Sequence, residues 1–290
     1  MMTPLSSNPP AARQPRVWLI TGCSSGLGRC LVEKAVAAGD RVIATARQVD
    51  RIADLATLAP DSVVTLALDV TKPAQVAAAV TQAHAAWGRL DVVVNNAGYG
   101  LIGAVEECSE EQIARNLDTN LMGPIRVIRA VLPILRQQRS GHLIQISAAA
   151  AISNYAGFGI YGAAKCGLEG VSEALRAELA PLGIRVTIVQ PGPFRTEFIS
   201  QSLEPAATTL PEYAATSGWF AQFLQRISGK QPGDPDRAAS VIVEMVRQGK
   251  APLRLPLGKY AVDKVRKSIE SQSAEILEWS ETGLTADFPA

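Results

Sequence analysis

A tyrosine and a lysine four residues apart, Tyr161 and Lys165, are the side chains best spaced for proton chemistry in this sequence. On a helix, positions i and i+4 share one face. A phenol with a pKa of about 10 moves protons poorly at neutrality, and an ammonium within about 4–6 Å lowers that pKa. Such a pair suits general acid–base work on a carbonyl or an alcohol. Far upstream lies a second chemical element, Thr21-Gly22-Cys23-Ser24-Ser25-Gly26-Leu27-Gly28. Its glycines permit a tight turn and close backbone approach to an anion, and a helix opening there favours negative charge. Ser24, Ser25 and Leu27 lie within that turn. Taken alone, Tyr-x-x-x-Lys is more often a surface helix, and a glycine cluster an ordinary turn. Together they point to hydride transfer between a nicotinamide and a carbonyl or alcohol.

The elements around these residues give both motifs a place. Arg16–Ile20 reads as a strand, and residues 26–38 have helical spacing with Gly39 as a stop. Strands are expected at 41–45, 63–68, 91–95, 142–147 and 184–190. Helices are expected at 73–87, with Pro73 in the first turn, at 110–139 with a bend near Gly123-Pro124, and at 159–182. The Tyr/Lys pair falls on the last of these. This alternation predicts an α/β fold, a doubly wound parallel sheet with helices on both faces, whose ligands bind beyond the carboxyl ends of the strands. The later pattern is looser: a helix containing Trp219, Phe220, Phe223 and Leu224, a breaker cluster at 229–235, a helix at 236–248, a strand at 252–257 and a last helix at 259–279.

Bulk properties exclude several classes. The chain has 290 residues, 47% hydrophobic and 19% charged, with a formal net charge of +1. That is globular composition without the basic footprint of a nucleic-acid binder. No apolar run reaches the roughly 18 residues of a membrane span. Residues 1–15, with four prolines and no apolar core, read as a flexible tail rather than a signal peptide. Residues 16–290 read as one domain, with a substrate-binding segment at about 196–250 and a C-terminal extension at about 251–290. Cys23, Cys30, Cys108 and Cys166 form no Cys-x-x-Cys pair, which suits reduced thiols and a cytoplasmic location. The two histidines, His84 and His142, are far apart, and no metal site is expected.

The second strand ends Ala44-Thr45-Ala46-Arg47 and carries no acid for a ribose 2′-hydroxyl. A guanidinium at Arg47 suits a 2′-phosphate, so NADP(H) is expected over NAD(H).

With these residues in view, the chain resembles the short-chain dehydrogenases/reductases, of the single-domain Rossmann type. The matching motifs are Thr21–Gly28, Asp69-Val70, Asn95-Asn96-Ala97-Gly98, Asn120, Tyr161-x-x-x-Lys165 and Pro191-Gly192-Pro193-Phe194-Arg195-Thr196, in order over about residues 16–200. The resemblance implies that Asp69 and Val70 border the adenine, and that Asn96, within the 95–98 turn, lies near the ribose. It implies that Phe194 and Thr196 flank the nicotinamide carboxamide. Asn120 would hold a water linking Lys165 to solvent, and Tyr161 would be the general acid in reduction and the base in oxidation. It also implies a homodimer or homotetramer assembled through the helices at 110–139 and 159–182. The substrate is expected to be a small apolar carbonyl or alcohol, given Phe198, Ile199, Leu203, Tyr213, Trp219, Phe220 and Phe223 in the variable segment.

One position departs from the family. Thirteen residues before Tyr161, where the family has a serine, this chain has Ala148. Ser147 is adjacent, but a one-residue shift at the end of a strand reverses the face. The alanine fits an engineered Ser→Ala change, a hydroxyl relocated to Ser147, Ser153 or Tyr155, or a protein that binds cofactor and has lost catalysis. A catalytically impaired regulatory or scaffold protein is therefore the alternative to an active oxidoreductase.

Overall fold

A computed structural model describes residues 14–288. Its centre is a sheet of seven parallel strands: β1 (Val17–Ile20), β2 (Arg41–Ala46), β3 (Val63–Ala67), β4 (Val92–Asn95), β6 (Gly141–Ile146), β7 (Ile184–Pro191) and β9 (Arg254–Leu257), in the order β3-β2-β1-β4-β6-β7-β9. The order reverses between β1 and β4, so a crevice opens at their carboxyl ends. Two short strands, β5 (Gly100–Ile102) and β8 (Leu203–Pro205), pair in parallel outside the main sheet. Every residue of β1 and β4 is buried, and all but Asn95 are apolar, as suits strands covered on both faces.

The helices are α1 (Gly26–Ala37), α2 (Ala53–Leu58), α3 (Pro73–Trp87), α4 (Glu110–Leu117), α5 (Gly123–Gln138), α6 (Gly159–Leu179), α7 (Phe198–Gln201), α8 (Trp219–Ile227), α9 (Pro235–Arg247) and α10 (Lys259–Leu284). One core layer packs α1 and α9 on the sheet through Leu31, Val32, Ile242 and Val246. The opposite layer seats Val76, Val80, Val127, Val131 and Leu175 of α3, α5 and α6 against Leu19, Val93 and Leu143. Local signals set the ends. Pro73 opens α3, and Gly88, at φ +70°, closes it. Ser109 and Gln112 form a capping box on α4.

The doubly wound expectation and its parallel sheet hold. The long helix expected at 110–139 is two helices joined by a π-helical turn at Asp118–Met122. The cause is local: Pro124 has no N–H to offer the Asn120 carbonyl four residues back. The Gly123 N–H reaches instead to the Asp118 carbonyl, five residues back. Of the expected tail, residues 1–13 lie outside the described residues.

Candidate active site

A cavity of about 1290 Å³ lies at the carboxyl ends of β1, β4, β6 and β7. Gly22, Ser24, Ser25, Gly26 and Leu27 line one end, with Arg47, Asp69 and Val70 beside them. Asn96, Ala97 and Gly98 form part of the floor, and Pro191, Gly192, Phe194 and Thr196 part of a wall. Asn120, Ser147, Ala148, Tyr161 and Lys165 lie on the same cavity. Of the residues expected to bind the cofactor, Gly28 is outside the lining, packed under the turn against the Gly22 carbonyl.

The glycine turn is built by exclusion of side chains. Gly22 and Gly26 sit at φ +72° and +57°, the left-handed region. A Cβ on Gly22 would lie 2.8 Å from the Ala97 Cα, and one on Gly28 would lie 2.3 Å from the Gly22 carbonyl oxygen. Asn96 braces this turn: its Nδ2 donates to the Thr21 and Gly22 carbonyls, each at 2.9 Å. The Thr21 hydroxyl accepts from the Asn96 and Ala97 amides, each at 3.0 Å. At the same end of the cavity, burial would raise the Asp69 carboxyl. The Thr71 amide and hydroxyl, with Arg47 and Lys72 nearby, outweigh burial and hold it below the usual carboxylate range. Arg47 itself is exposed on the rim.

The expected acid–base pair is deeply buried. Tyr161 is 6% and Lys165 4% exposed. Lys165 Nζ donates to the Ile146 carbonyl at 2.9 Å and lies 5.9 Å from the Tyr161 ring centroid. Burial pushes Lys165 down to about 8, opposed by the Glu169 carboxylate one turn on. Burial also raises the Tyr161 phenol above its ordinary value. The lowering expected from the lysine is therefore absent in the unliganded chain, because desolvation outweighs a charge turned toward a backbone carbonyl.

Asn120 is fully buried at the π turn. Its Nδ2 donates to the Tyr99 and Asn116 carbonyls at 2.9 and 3.1 Å, and its Oδ1 accepts from the Tyr99 amide at 3.3 Å. A Cβ on Gly98 would touch both Asn120 Oδ1, at 2.5 Å, and Lys165 Nζ, at 3.5 Å, so Gly98 lets the two residues close on each other. The carboxamide of Asn120 is thus committed to bracing the Tyr99 loop.

The Ser147 hydroxyl, beside Ala148, is engaged by a buried carboxylate. Its Oγ donates to Glu169 Oε1 at 2.6 Å, in a buried cluster where Gln190 Nε2 also donates to that carboxylate at 2.9 and 3.0 Å. The alternation at the end of β6 turns Ser147 inward and Ala148 toward the aromatic cluster. Ser153 lines a separate outer groove. The Tyr155 ring stacks on Phe220 at 4.9 Å and its hydroxyl lies 2.6 Å from that of Tyr260.

Phe198, Ile199, Leu203, Trp219, Phe220 and Phe223 line the far, apolar end of the cavity. Tyr213 does not. Its hydroxyl donates to Glu106 outside the cavity, because a π-helical turn at Ala214–Gly218 separates it from α8. Among the lining residues without a local sequence signal are Tyr260 and Gln231. Tyr260 arrives from α10, and Gln231 sits in the breaker cluster. Gln231 is 1% exposed and both its amide atoms lack a hydrogen-bond partner among the described residues. Such a group costs about 1–3 kcal/mol unless water or a ligand satisfies it. No group of His, Cys, Asp and Glu able to hold a metal exists among the described residues.

Comparisons with known proteins bear on the family and the fold. Residues 16–206 match the model of the family described as short chain dehydrogenase. The oxidoreductase BOA17 of Botryotinia fuckeliana is 39% identical over 272 residues, covering 93% of this chain and 99% of that protein. The 3-ketodihydrosphingosine reductase of Bacteroides thetaiotaomicron is 34% identical over 84% of this chain and 88% of that protein. A short-chain dehydrogenase from Streptomyces avermitilis of known structure superposes with a TM-score of 0.88 at 41% identity, covering 94% of this chain and all of that one.

Proposed function

Because this chain belongs to the short-chain dehydrogenase oxidoreductases, we propose that it interconverts an apolar ketone or aldehyde and the corresponding alcohol with NADP(H). The observation that carries this reading is the convergence of the glycine turn, Tyr161 and Lys165 on one cavity whose other end is apolar. The cradle fits a dinucleotide. Gly22 and Gly28 leave no room for side chains, the start of α1 faces the cavity, and Gln231 offers an unpaired donor and acceptor. The bound nicotinamide would supply or accept the hydride.

The chain's own residues do the rest. In reduction, the Tyr161 phenol, held protonated by burial, gives its proton to the carbonyl oxygen. The Lys165 ammonium stabilises the phenolate that results. Pro124 cannot satisfy the Asn120 carbonyl, which makes that oxygen the anchor for a water that returns protons through Lys165. In oxidation the same steps run backwards. Phe198, Leu203 and Phe220 exclude water and orient the apolar part of the substrate. Arg47, on the rim near Asp69, takes the 2′-phosphate. The protein acts on small apolar carbonyls and alcohols in the cytoplasm as a homodimer or homotetramer.

Ala148 favours a second reading, a cofactor-binding protein with little turnover. Loss of one preorganised donor costs about 2.7–4 kcal/mol, or roughly 10²–10³ in rate. That slows the chemistry and leaves cofactor binding intact.

Calorimetric titration with NADPH and NADH tests the cofactor assignment. Arg47→Ala is expected to weaken NADPH at least tenfold and to leave NADH within about twofold, as loss of a charge-assisted contact implies. Equal losses for both would contradict it.

A further inference from the structure

Tyr161, Lys165 and Glu169 follow one another at four-residue intervals on α6, so they share one face of the helix. All three are buried, Glu169 at 7% exposure. This face grips the end of β6 at two successive residues. Lys165 Nζ donates to the Ile146 carbonyl, and one turn on Glu169 accepts from the Ser147 hydroxyl. Gln190 on β7 donates to both carboxylate oxygens, and the Arg254 guanidinium on β9 comes to 3.7 Å from Oε2. Glu173 and Cys166 are the other titratable groups nearby: Glu173 pairs with the same Arg254, and the Glu169 charge raises the Cys166 thiol. Glu169 itself does not line the cavity.

The hydrogen bonds of this cluster do not need a charge. A glutamine at 169 has nearly the same shape, and its carbonyl oxygen could accept from both Ser147 and Gln190. A buried carboxylate, by contrast, is costly to keep out of water. What the charge adds is attraction for a cation. Arg254 is 42% exposed and already has Glu173, so solvent leaves it little to gain. Lys165 is buried, and the charge acting on it is that of Glu169, which favours the ammonium. Building on the dehydrogenase reading, we propose that Glu169 is a positioning residue of the acid–base centre. Its buried charge keeps the proton on Lys165, and its bond to Ser147 fixes the strand end that Lys165 grips.

Trace acetylation with acetic anhydride, followed against pH on the Lys165 peptide by mass spectrometry, reads the protonation of this lysine without turnover, since Lys165 lines the cavity. The parent's midpoint is expected at about 8. Glu169→Gln should lower it by about one pH unit, the effect of losing an opposite charge one helical turn from a buried group. Arg254→Gln removes a cation beside the carboxylate and should raise the midpoint by a smaller amount. It alters a partly exposed side chain, so it tests the coupling even if Glu169→Gln folds poorly. Ser147→Ala breaks the bond to the strand and keeps the charge, so the midpoint should stay in place. A packing fault alone would not move the lysine in opposite directions in two variants. The alkaline limb of kcat/KM for carbonyl reduction should follow the same order. An unmoved midpoint in Glu169→Gln, a fall in Arg254→Gln, or a fall in Ser147→Ala as large as in Glu169→Gln would overturn the proposal. Midpoints in the expected order with no carbonyl turned over would fault the dehydrogenase reading and leave the coupling of Glu169 to Lys165 in place. Turnover with unmoved midpoints would do the reverse.

Discussion

Burial, more than mutual attraction, sets the chemistry of Tyr161 and Lys165. The phenol is raised and the lysine lowered by the same loss of water. Lys165 must carry its proton to stabilise a Tyr161 phenolate, so kcat/KM is expected to fall as pH rises through about 8. A pH–rate profile checks this, and a profile flat to pH 10 would contradict it. Stability moves the other way. The folded lysine binds its proton less tightly than the unfolded one, whose pKa is near 10.5, so its destabilising effect is full below about 8 and disappears as pH climbs toward 10.5. Ser147 belongs to structure at this scale. Ser147→Ala removes a hydroxyl bonded to the buried Glu169 carboxylate, which costs about 1.5–3 kcal/mol in a denaturant titration. Turnover should fall less than tenfold. A 100-fold loss of turnover at unchanged stability would make Ser147 the catalytic hydroxyl.

Elements place these residues through backbone constraints that are partly visible in the sequence. The glycine turn is the clearest. Gly28→Ala puts a methyl 2.3 Å from the Gly22 carbonyl oxygen and 2.4 Å from Asn96 Nδ2, so the turn must shift. NADPH affinity is expected to drop more than tenfold by calorimetry, and unchanged affinity would mean that the turn does not hold the phosphates. The sequence revealed this turn because three glycines fall between a strand and a helix, where each permits a tight turn or close backbone approach. It revealed α3 to the residue because Pro73 and Gly88 punctuate both ends. The π turn was legible only as a bend near Gly123-Pro124, since periodicity does not distinguish four-residue from five-residue bonding. The short strands β5 and β8 escaped notice, as three-residue pairings stabilised by tertiary contact carry no periodic signal. Gln231 and Tyr260 escaped for a related reason: they reach the cavity from chain segments more than 60 residues beyond Tyr161.

At the scale of the whole molecule, the fold divides labour across one crevice. The switch in strand order between β1 and β4 opens the half lined by the glycine turn, and α7, α8 and the start of α10 close the apolar half. The aromatic cluster of Tyr155, Phe158, Phe220 and Phe223 joins Tyr161 to that apolar end. No helix among the described residues is long and apolar enough to cross a membrane. The catalytic claim therefore rests on one crevice that holds everything except the hydroxyl at position 148. The measurement that tests it most directly is NADPH oxidation over a panel of apolar ketones and aldehydes, comparing this chain with its Ala148→Ser form. Slow turnover is expected from the parent, with a gain of roughly 10²–10³ in kcat for the serine form, the value of one restored oxyanion donor. Silence from both forms across the panel, with NADPH still bound, would contradict it and leave a binding protein.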